Sequence, residues 1–329
     1  MKLAFFDTKP YDIPGFDRYA IPAGIEVKYF ETTLNIDTVS LAAGYDAVCV
    51  FVSDTVDAAV VDRLYELGVK VIALRCAGFN NVDIKACQDK LRVFRVPAYS
   101  PYAVAEHAMA LLLTVNRRTH KAYLRTRDFN FSLQGLTGFD LHGKTVGIVG
   151  TGKIGRVFAD ICRGFGMTIL AYDKFPNPAS GLDYVELDEL FAKSDIISLH
   201  CPLTDETYHL VCEESINKMK TGVVIINTSR GALINTKDLI RGIKNKKIGA
   251  ACLDVYEEEG DFFYSDYSGH IVHDDKLVRL ISLPNVIVSS HQAFLTTEAL
   301  ENIAATTINN LTRYFSGDPD TTTEVVCQN

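Results

Sequence analysis

A chain of 329 residues, 47% hydrophobic and 22% charged, is long enough for two cores of about 150 residues each. Its formal charge of -8 and lack of any Lys or Arg run exclude phosphate backbones and anionic membrane surfaces as expected partners. The eight cysteines (49, 76, 87, 162, 201, 212, 252 and 327) form no C-x-x-C pair and several interrupt apolar runs, so they read as buried free thiols of a cytoplasmic protein.

From the N-terminus, Met1-Lys2 leads directly into Leu3-Ala4-Phe5-Phe6, which Asp7 ends too early for a signal peptide. The runs 3–6, 27–30, 47–51, 69–74 and 93–96 alternate with helical patterns, the rhythm of a parallel α/β sheet. Pro97 and Pro101 break the series. Residues 103–115 (AVAEHAMALLLTV) then form a helix apolar on almost every face, suited to wedging between lobes or subunits. A homo-oligomer, dimer or tetramer, is the expected state. Even the longest apolar stretch, 108–115, is far below the ~20 residues of a membrane span. A second series at 145–149, 168–172, 196–199, 223–226, 250–253 and 286–289 predicts a second lobe of six strands. The helix 298–315 and the polar tail after it have no strand partner there and are expected to return to the first lobe.

The second series opens on Gly150-Thr-Gly152-Lys153-Ile154-Gly155, directly between a strand and an amphipathic helix. In that context G-x-G-x-x-G marks a dinucleotide site. Gly150 permits the turn, Gly152 the approach of pyrophosphate and Gly155 the contact of helix with strand, while the helix start at Lys153 and Ile154 offers amides and a positive dipole end. Asp173, at the end of the next strand about 20 residues on, suits the adenosine ribose and selects NAD over NADP; Lys174 beside it works in the opposite sense. The predicted fold is α/β, with two Rossmann-like or flavodoxin-like lobes on parallel sheets. A discontinuous substrate domain (1-100 plus 297-329) and an NAD-binding domain (101-296) enclose an active site in the interdomain cleft.

Ligands of open α/β sheets sit at the carboxyl ends of strands, and three such ends carry the chemistry of 2-oxo acid reduction. Arg230, in Asn227-Thr228-Ser229-Arg230-Gly231, can grip a carboxylate through two parallel hydrogen bonds. His291 can protonate the developing alkoxide, and a carboxylate from Glu257-Glu258-Glu259 can stabilise the charged imidazole. The residues alone do not choose among the three glutamates. Phe51, Tyr99 and Tyr102 are first-lobe aromatics that fit a core or an interface as well as a pocket, and His107 reads as a satisfied interdomain histidine. His270, His273, Asp274 and Asp275 imitate a metal cluster, but their polar, aromatic insertion (260–276) has no strand scaffold; it reads as a flexible loop, with no metal.

With RCAGFNNVD (75–83), VPAYSPYAVAEHA (96–108), GKTVGIVGTGKIG (143–155), HCPLTDET (200–207), NTSRGALI (227–234), LDVYEEE (253–259) and HQAFLTTEA (291–299), nearly the whole chain resembles the D-specific 2-hydroxyacid dehydrogenases. Within that family the chain is similar in particular to the bacterial fermentative D-lactate dehydrogenases. The resemblance implies reduction of pyruvate to D-lactate by NADH, with Arg230 on the substrate carboxylate, His291 as acid and base and Glu259 as its partner. It further implies the backbone of Ala77 and Gly78 at the carboxylate and Tyr99 and Phe294 shaping the pocket. Cys201, Pro202, Thr207, Thr228, Ser229, Arg230 and Asp254 would line the cofactor, Asp254 at the nicotinamide and Cys201 and Pro202 at the adenine. Cys201 departs from the aliphatic residue usual there. Related enzymes acting on hydroxypyruvate, glyoxylate or phosphohydroxypyruvate are the alternatives within the class, and Phe294 favours a small apolar substrate tail. A non-catalytic NADH-sensing protein is the alternative outside it.

Overall fold

The structure, a computed structural model, describes residues 1–326; Cys327 lies outside the described residues. The chain divides into two compact units, 1–100 with 295–329, and 101–294.

In the first unit the strands β1 (Lys2–Phe5), β2 (Glu26–Tyr29), β3 (Ala47–Val50), β4 (Val71–Leu74) and β5 (Arg92–Phe94) form a wholly parallel sheet in the order β2-β1-β3-β4-β5. Every residue of β3 and β4 is buried, as befits central strands covered on both faces. The helix Thr297–Phe315 starts at Thr296, whose hydroxyl accepts from the Ala299 amide, and packs on the helix Asp12–Ala20. Beyond it the chain returns to the sheet edge, where Glu324 bridges Phe94 and pairs with Arg92 at 2.7 Å. The C-terminal helix thus belongs to the first unit.

The second unit holds β6 (Thr145–Val149), β7 (Thr168–Tyr172), β8 (Asp183–Tyr184), β9 (Ile196–Leu199), β10 (Val223–Asn227), β11 (Ile248–Leu253) and β12 (Val286–Val288). They form a parallel sheet in the order β12-β11-β10-β9-β6-β7-β8. It has seven strands where the sequence suggests six, because β8 is a two-residue edge strand with no apolar run to announce it. The strand order reverses between β6 and β9, so the carboxyl ends of these two strands flank a ligand crevice.

The helix Pro101–Arg117 begins with a proline, whose missing N–H costs nothing at a first turn. Its Ala105, Ala108, Met109, Leu112 and Val115 pack into one core with Phe158, Ala159 and Cys162 of the helix Lys153–Gly164. The 260–276 insertion carries no strand, yet it is tied to the fold: Phe262 and Phe263 pack on the second unit's core, and Asp274 caps the helix Asp275–Ser282 and accepts from the Tyr256 hydroxyl at 2.6 Å. Among the described residues no His, Cys, Asp or Glu side chains gather into a group able to hold a metal ion, and no helix is long and apolar enough to cross a membrane. All seven described cysteines are free; Cys212 is half-buried rather than buried, as the first residue before the helix Glu213–Lys218.

Candidate active site

The glycine-rich turn leaves β6 at Val149. Gly150 has φ +93°, and a Cβ there would lie 2.5 Å from the Cys201 amide nitrogen at the end of β9. A Cβ on Gly155 would lie 2.0 Å from the Gly150 carbonyl oxygen, so the helix Lys153–Gly164 approaches β6 only because that position is bare. Around Gly152 there is open space, and Gly152 begins the helix with no side-chain cap. The amides of Lys153 and Ile154 are therefore presented beside space that a pyrophosphate can fill.

At the end of β7, Asp173 Oδ2 accepts from the Thr151 amide (2.6 Å) and hydroxyl (2.9 Å), and Oδ1 accepts from the Phe175 amide (2.9 Å). Burial raises this carboxyl, but the three donors outweigh it and hold the group below the usual carboxylate range. Asp173 thus presents a carboxylate at the end of β7 that could accept from a ribose hydroxyl. Lys174, which opposed its selectivity on sequence grounds, is paired with Glu206 at 2.6 Å.

The loops after β9 and β10 are joined, since Ser229 Oγ donates to the Cys201 carbonyl at 2.7 Å. Burial pushes the Cys201 thiol up to about 11, so it stays protonated and acts as a small apolar group. The Thr207 hydroxyl donates to the Pro202 carbonyl at 2.8 Å and shapes that turn. Among the described residues the Thr228 hydroxyl is buried with no hydrogen-bond partner. An orphaned polar atom at a strand end fits a ligand that completes it. Together with the space at Gly152 and the carboxylate of Asp173, it makes these residues fit a bound dinucleotide.

Arg230 follows, held by the Asn227 amide group donating to its carbonyl (2.8 Å), while its own Nη1 donates to the Ser229 carbonyl (2.8 Å). Next to it a Cβ on Gly231 would lie 2.0 Å from the Tyr256 carbonyl oxygen; the bare position lets the Arg230 loop press against the acidic run after β11.

The three glutamates have three different partners. Glu257 is bound by His209 Nε2 at 2.6 Å and by the Thr236 amide at 3.1 Å. Burial raises its carboxyl, and the bonds from His209 and Thr236 outweigh that and lower it. It is a clasp between loops, not a solvated turn residue. Glu258 is exposed and pairs with Lys276. Glu259 accepts from the Tyr256 amide through Oε2 (2.9 Å), and its Oε1 lies 2.8 Å from His291 Nδ1.

His291 itself is left-handed, with φ +53°, a backbone state that costs a side-chain-bearing residue about 1 kcal/mol or more and tends to mark functional sites. Its amide donates to the Asp254 carbonyl at 2.7 Å. The Asp254 carboxylate, which the resemblance puts at the nicotinamide, is fully buried and engaged by the Ser289 hydroxyl (2.6 Å) and the Gln292 (3.0 Å) and Ala293 (2.8 Å) amides. In this structure it anchors the His291 loop. Burial works against its charge, but His107, Ser289 and Ala293 as donors keep the carboxyl below the ordinary range. Phe294, next in the chain, is buried.

In the first unit the carbonyl of Ala77 accepts from Arg95 (2.9 Å) and that of Gly78 from the Cys76 thiol (3.2 Å), so what these residues can offer a carboxylate is their N–H groups. The Tyr99 carbonyl accepts from Asn302 at 2.7 Å. Sequence reasoning missed the His209–Glu257 clasp and the part played by Ser289. The adjacent Ser289-Ser290 before His291 was the available signal, since hydroxyls at a strand end readily tie down a turn.

A family model described as D-isomer specific 2-hydroxyacid dehydrogenase, NAD binding domain, matches residues 109–293. The D-lactate dehydrogenase of Escherichia coli is 51% identical over 322 residues, covering 97% of this chain and 98% of that protein. Its apo-structure superposes with a TM-score of 0.90 at 49% identity, over 99% of this chain and 100% of that one. A structure described as the pyruvate reductase of Chlamydomonas reinhardtii gives a TM-score of 0.92 at 45% identity, over 97% of both chains.

Proposed function

The chain belongs to the D-isomer specific 2-hydroxyacid dehydrogenase family, and from that premise we propose that it is a D-lactate dehydrogenase, reducing pyruvate to D-lactate with NADH in a reversible reaction. The observation that carries the reading is the 2.8 Å contact between His291 Nδ1 and Glu259 Oε1. With Nδ1 committed to a carboxylate, Nε2 is the nitrogen that holds a proton for a substrate oxygen.

When bound, NADH supplies the hydride. Gly150, Gly152 and Gly155 with the amides of Lys153 and Ile154 receive the pyrophosphate, Asp173 the ribose, and Cys201, Pro202, Thr207, Thr228 and Ser229 line the remainder. Arg230 binds the pyruvate carboxylate and orients the carbonyl, with the N–H groups of Ala77 and Gly78 assigned to the same carboxylate and Tyr99 and Phe294 to the pocket wall by family resemblance. His291 gives its Nε2 proton to the carbonyl oxygen as the alkoxide develops, and Glu259 stabilises the imidazolium before transfer. In lactate oxidation the neutral imidazole takes that proton back.

Cytoplasmic residence and homo-oligomerisation are part of the proposal. Free cysteines support the first. The second is supported by Leu124, Phe129, Phe131 and Leu133, which the second unit leaves between 59% and 83% exposed. Light scattering distinguishes dimer, tetramer and monomer, the last refuting this part. The reaction is tested by following NADH absorbance with pyruvate, hydroxypyruvate, glyoxylate and phosphohydroxypyruvate in parallel. The highest kcat/KM is expected with pyruvate; a higher value with any other acid overturns the substrate assignment, and NADH binding without turnover of any overturns the enzyme.

A further inference from the structure

We infer that His107 is a positioning residue for His291, acting through Asp254. The buried residues of the helix Pro101–Arg117 are apolar except for Asn116, and His107 on the same helix finds its polar partners far away in sequence. His107 Nε2 lies 3.1 Å from Ser289 Oγ and 3.3 Å from Asp254 Oδ1. Asp254 follows β11 with its side chain 0% exposed; its carboxylate takes the Ser289 hydroxyl and the amides of Gln292 and Ala293, and its backbone carbonyl takes the amide of His291. Those donors all lie on the short stretch that carries His291; His107 is the contact reaching it from a separate, rigid helix.

Serine, histidine and aspartate so close together invite a nucleophilic triad, and the geometry rejects it. Both oxygens sit at the same ring nitrogen, whereas a relay needs the carboxylate on Nδ1 and the hydroxyl on Nε2. What remains is a polar knot. A buried carboxylate is costly unless its oxygens are met by donors, and removing one donor frees it to pull on the others. Here the others are the Ser289 hydroxyl and the Gln292 and Ala293 amides, on either side of His291, whose backbone is left-handed at φ +53°. A displacement of a reacting group by about 1 Å costs on the order of 100-fold in rate, so a loosened knot reaches the proton transfer without His107 touching any substrate.

This inference rests on His291 being the acid, and the test separates the two. Three variants are compared for kcat, pyruvate KM and NADH affinity: His107→Gln, whose amide nitrogen reaches the position of Nε2; His107→Asn, which is too short to do so; and His291→Asn. The asparagine variant at 107 is expected to lose kcat by about 10- to 100-fold with KM and NADH affinity nearly unchanged, and the glutamine variant to recover most of it. Equal kcat in the two variants at 107 overturns the inference, because packing alone would then account for the residue. Loss in His291→Asn together with parental kcat in His107→Asn overturns this inference only, whereas parental kcat in His291→Asn overturns the site itself. Should His107→Asn not fold, Ser289→Ala removes the hydroxyl between the two residues and is expected to show the same kcat loss; parental kcat there overturns the inference.

Discussion

Replacing Glu259 by glutamine keeps the size of the side chain and, through its one amide oxygen, its ability to accept from His291 Nδ1; it removes the charge and the second oxygen that accepts from the Tyr256 amide. The two side chains meet at 2.8 Å and are 20% and 24% exposed. Unit charges about 4 Å apart attract by about 4 kcal/mol at an effective dielectric of about 20, and solvent access on this scale reduces the figure to about 1.5 kcal/mol. That amount is about a tenfold loss in the stabilisation of the charged ring through which proton transfer passes. Pyruvate reduction consumes imidazolium, so its kcat/KM is expected to fall about tenfold in the variant relative to the parent. The assay is kcat/KM for each direction from pH 5 to 9 at saturating cofactor. Glu258→Gln, exposed and paired with Lys276, is the silent control. Glu257 is unsuited to that purpose because it is clasped by His209 and Thr236, and its replacement is expected to lower stability rather than move the profile. A Glu259→Gln profile that coincides with the parent's refutes the pairing of acid and carboxylate.

Arg230→Lys should retain NADH binding in a fluorescence titration and lose about 2 to 4 kcal/mol of transition-state stabilisation with pyruvate, because an ammonium keeps the charge but not the planar two-point grip; near-parental kcat/KM removes Arg230 from the site. Asp173→Ala should weaken NADH binding and narrow the preference over NADPH, since it deletes both the ribose acceptor and the repulsive charge; an unchanged ratio of the two affinities contradicts the assignment. The carboxyls of Asp173 and Asp254 are held below their ordinary range in the fold, so the stability they contribute is complete above about pH 4 and is lost as pH falls through their folded values. Melting temperatures measured from pH 3 to 7 should therefore fall less steeply with acid in Asp254→Asn than in the parent, from a lower starting value; parallel curves contradict that account.

Much of the architecture was legible because parallel strands buried on both faces must be written as apolar runs. Residues 145–149, 168–172 and 196–199 begin and end in the structure where those runs do. β8 escaped because Asp183 and Tyr184 add a short edge that a hydrophobic pattern does not encode. The glycine turn was readable since each bare position has a local reason. The choice among Glu257, Glu258 and Glu259 was not readable from the residues themselves. Three identical neighbours differ only in what the fold brings to them: His209, Lys276 and His291 lie far away in sequence. The insertion after Glu259 misled for a related reason, because its lack of a strand pattern conceals Phe262 and Phe263 turned onto the core. The unpartnered hydroxyl of Thr228 likewise becomes visible only when its surroundings can be counted.

These residues are expected to turn pyruvate into D-lactate at the expense of NADH. Incubating the protein with pyruvate and limiting NADH, then resolving the lactate by chiral chromatography, tests it in one measurement. D-lactate equal in amount to the NADH consumed is expected; L-lactate, or no pyruvate-dependent loss of NADH, overturns the assignment.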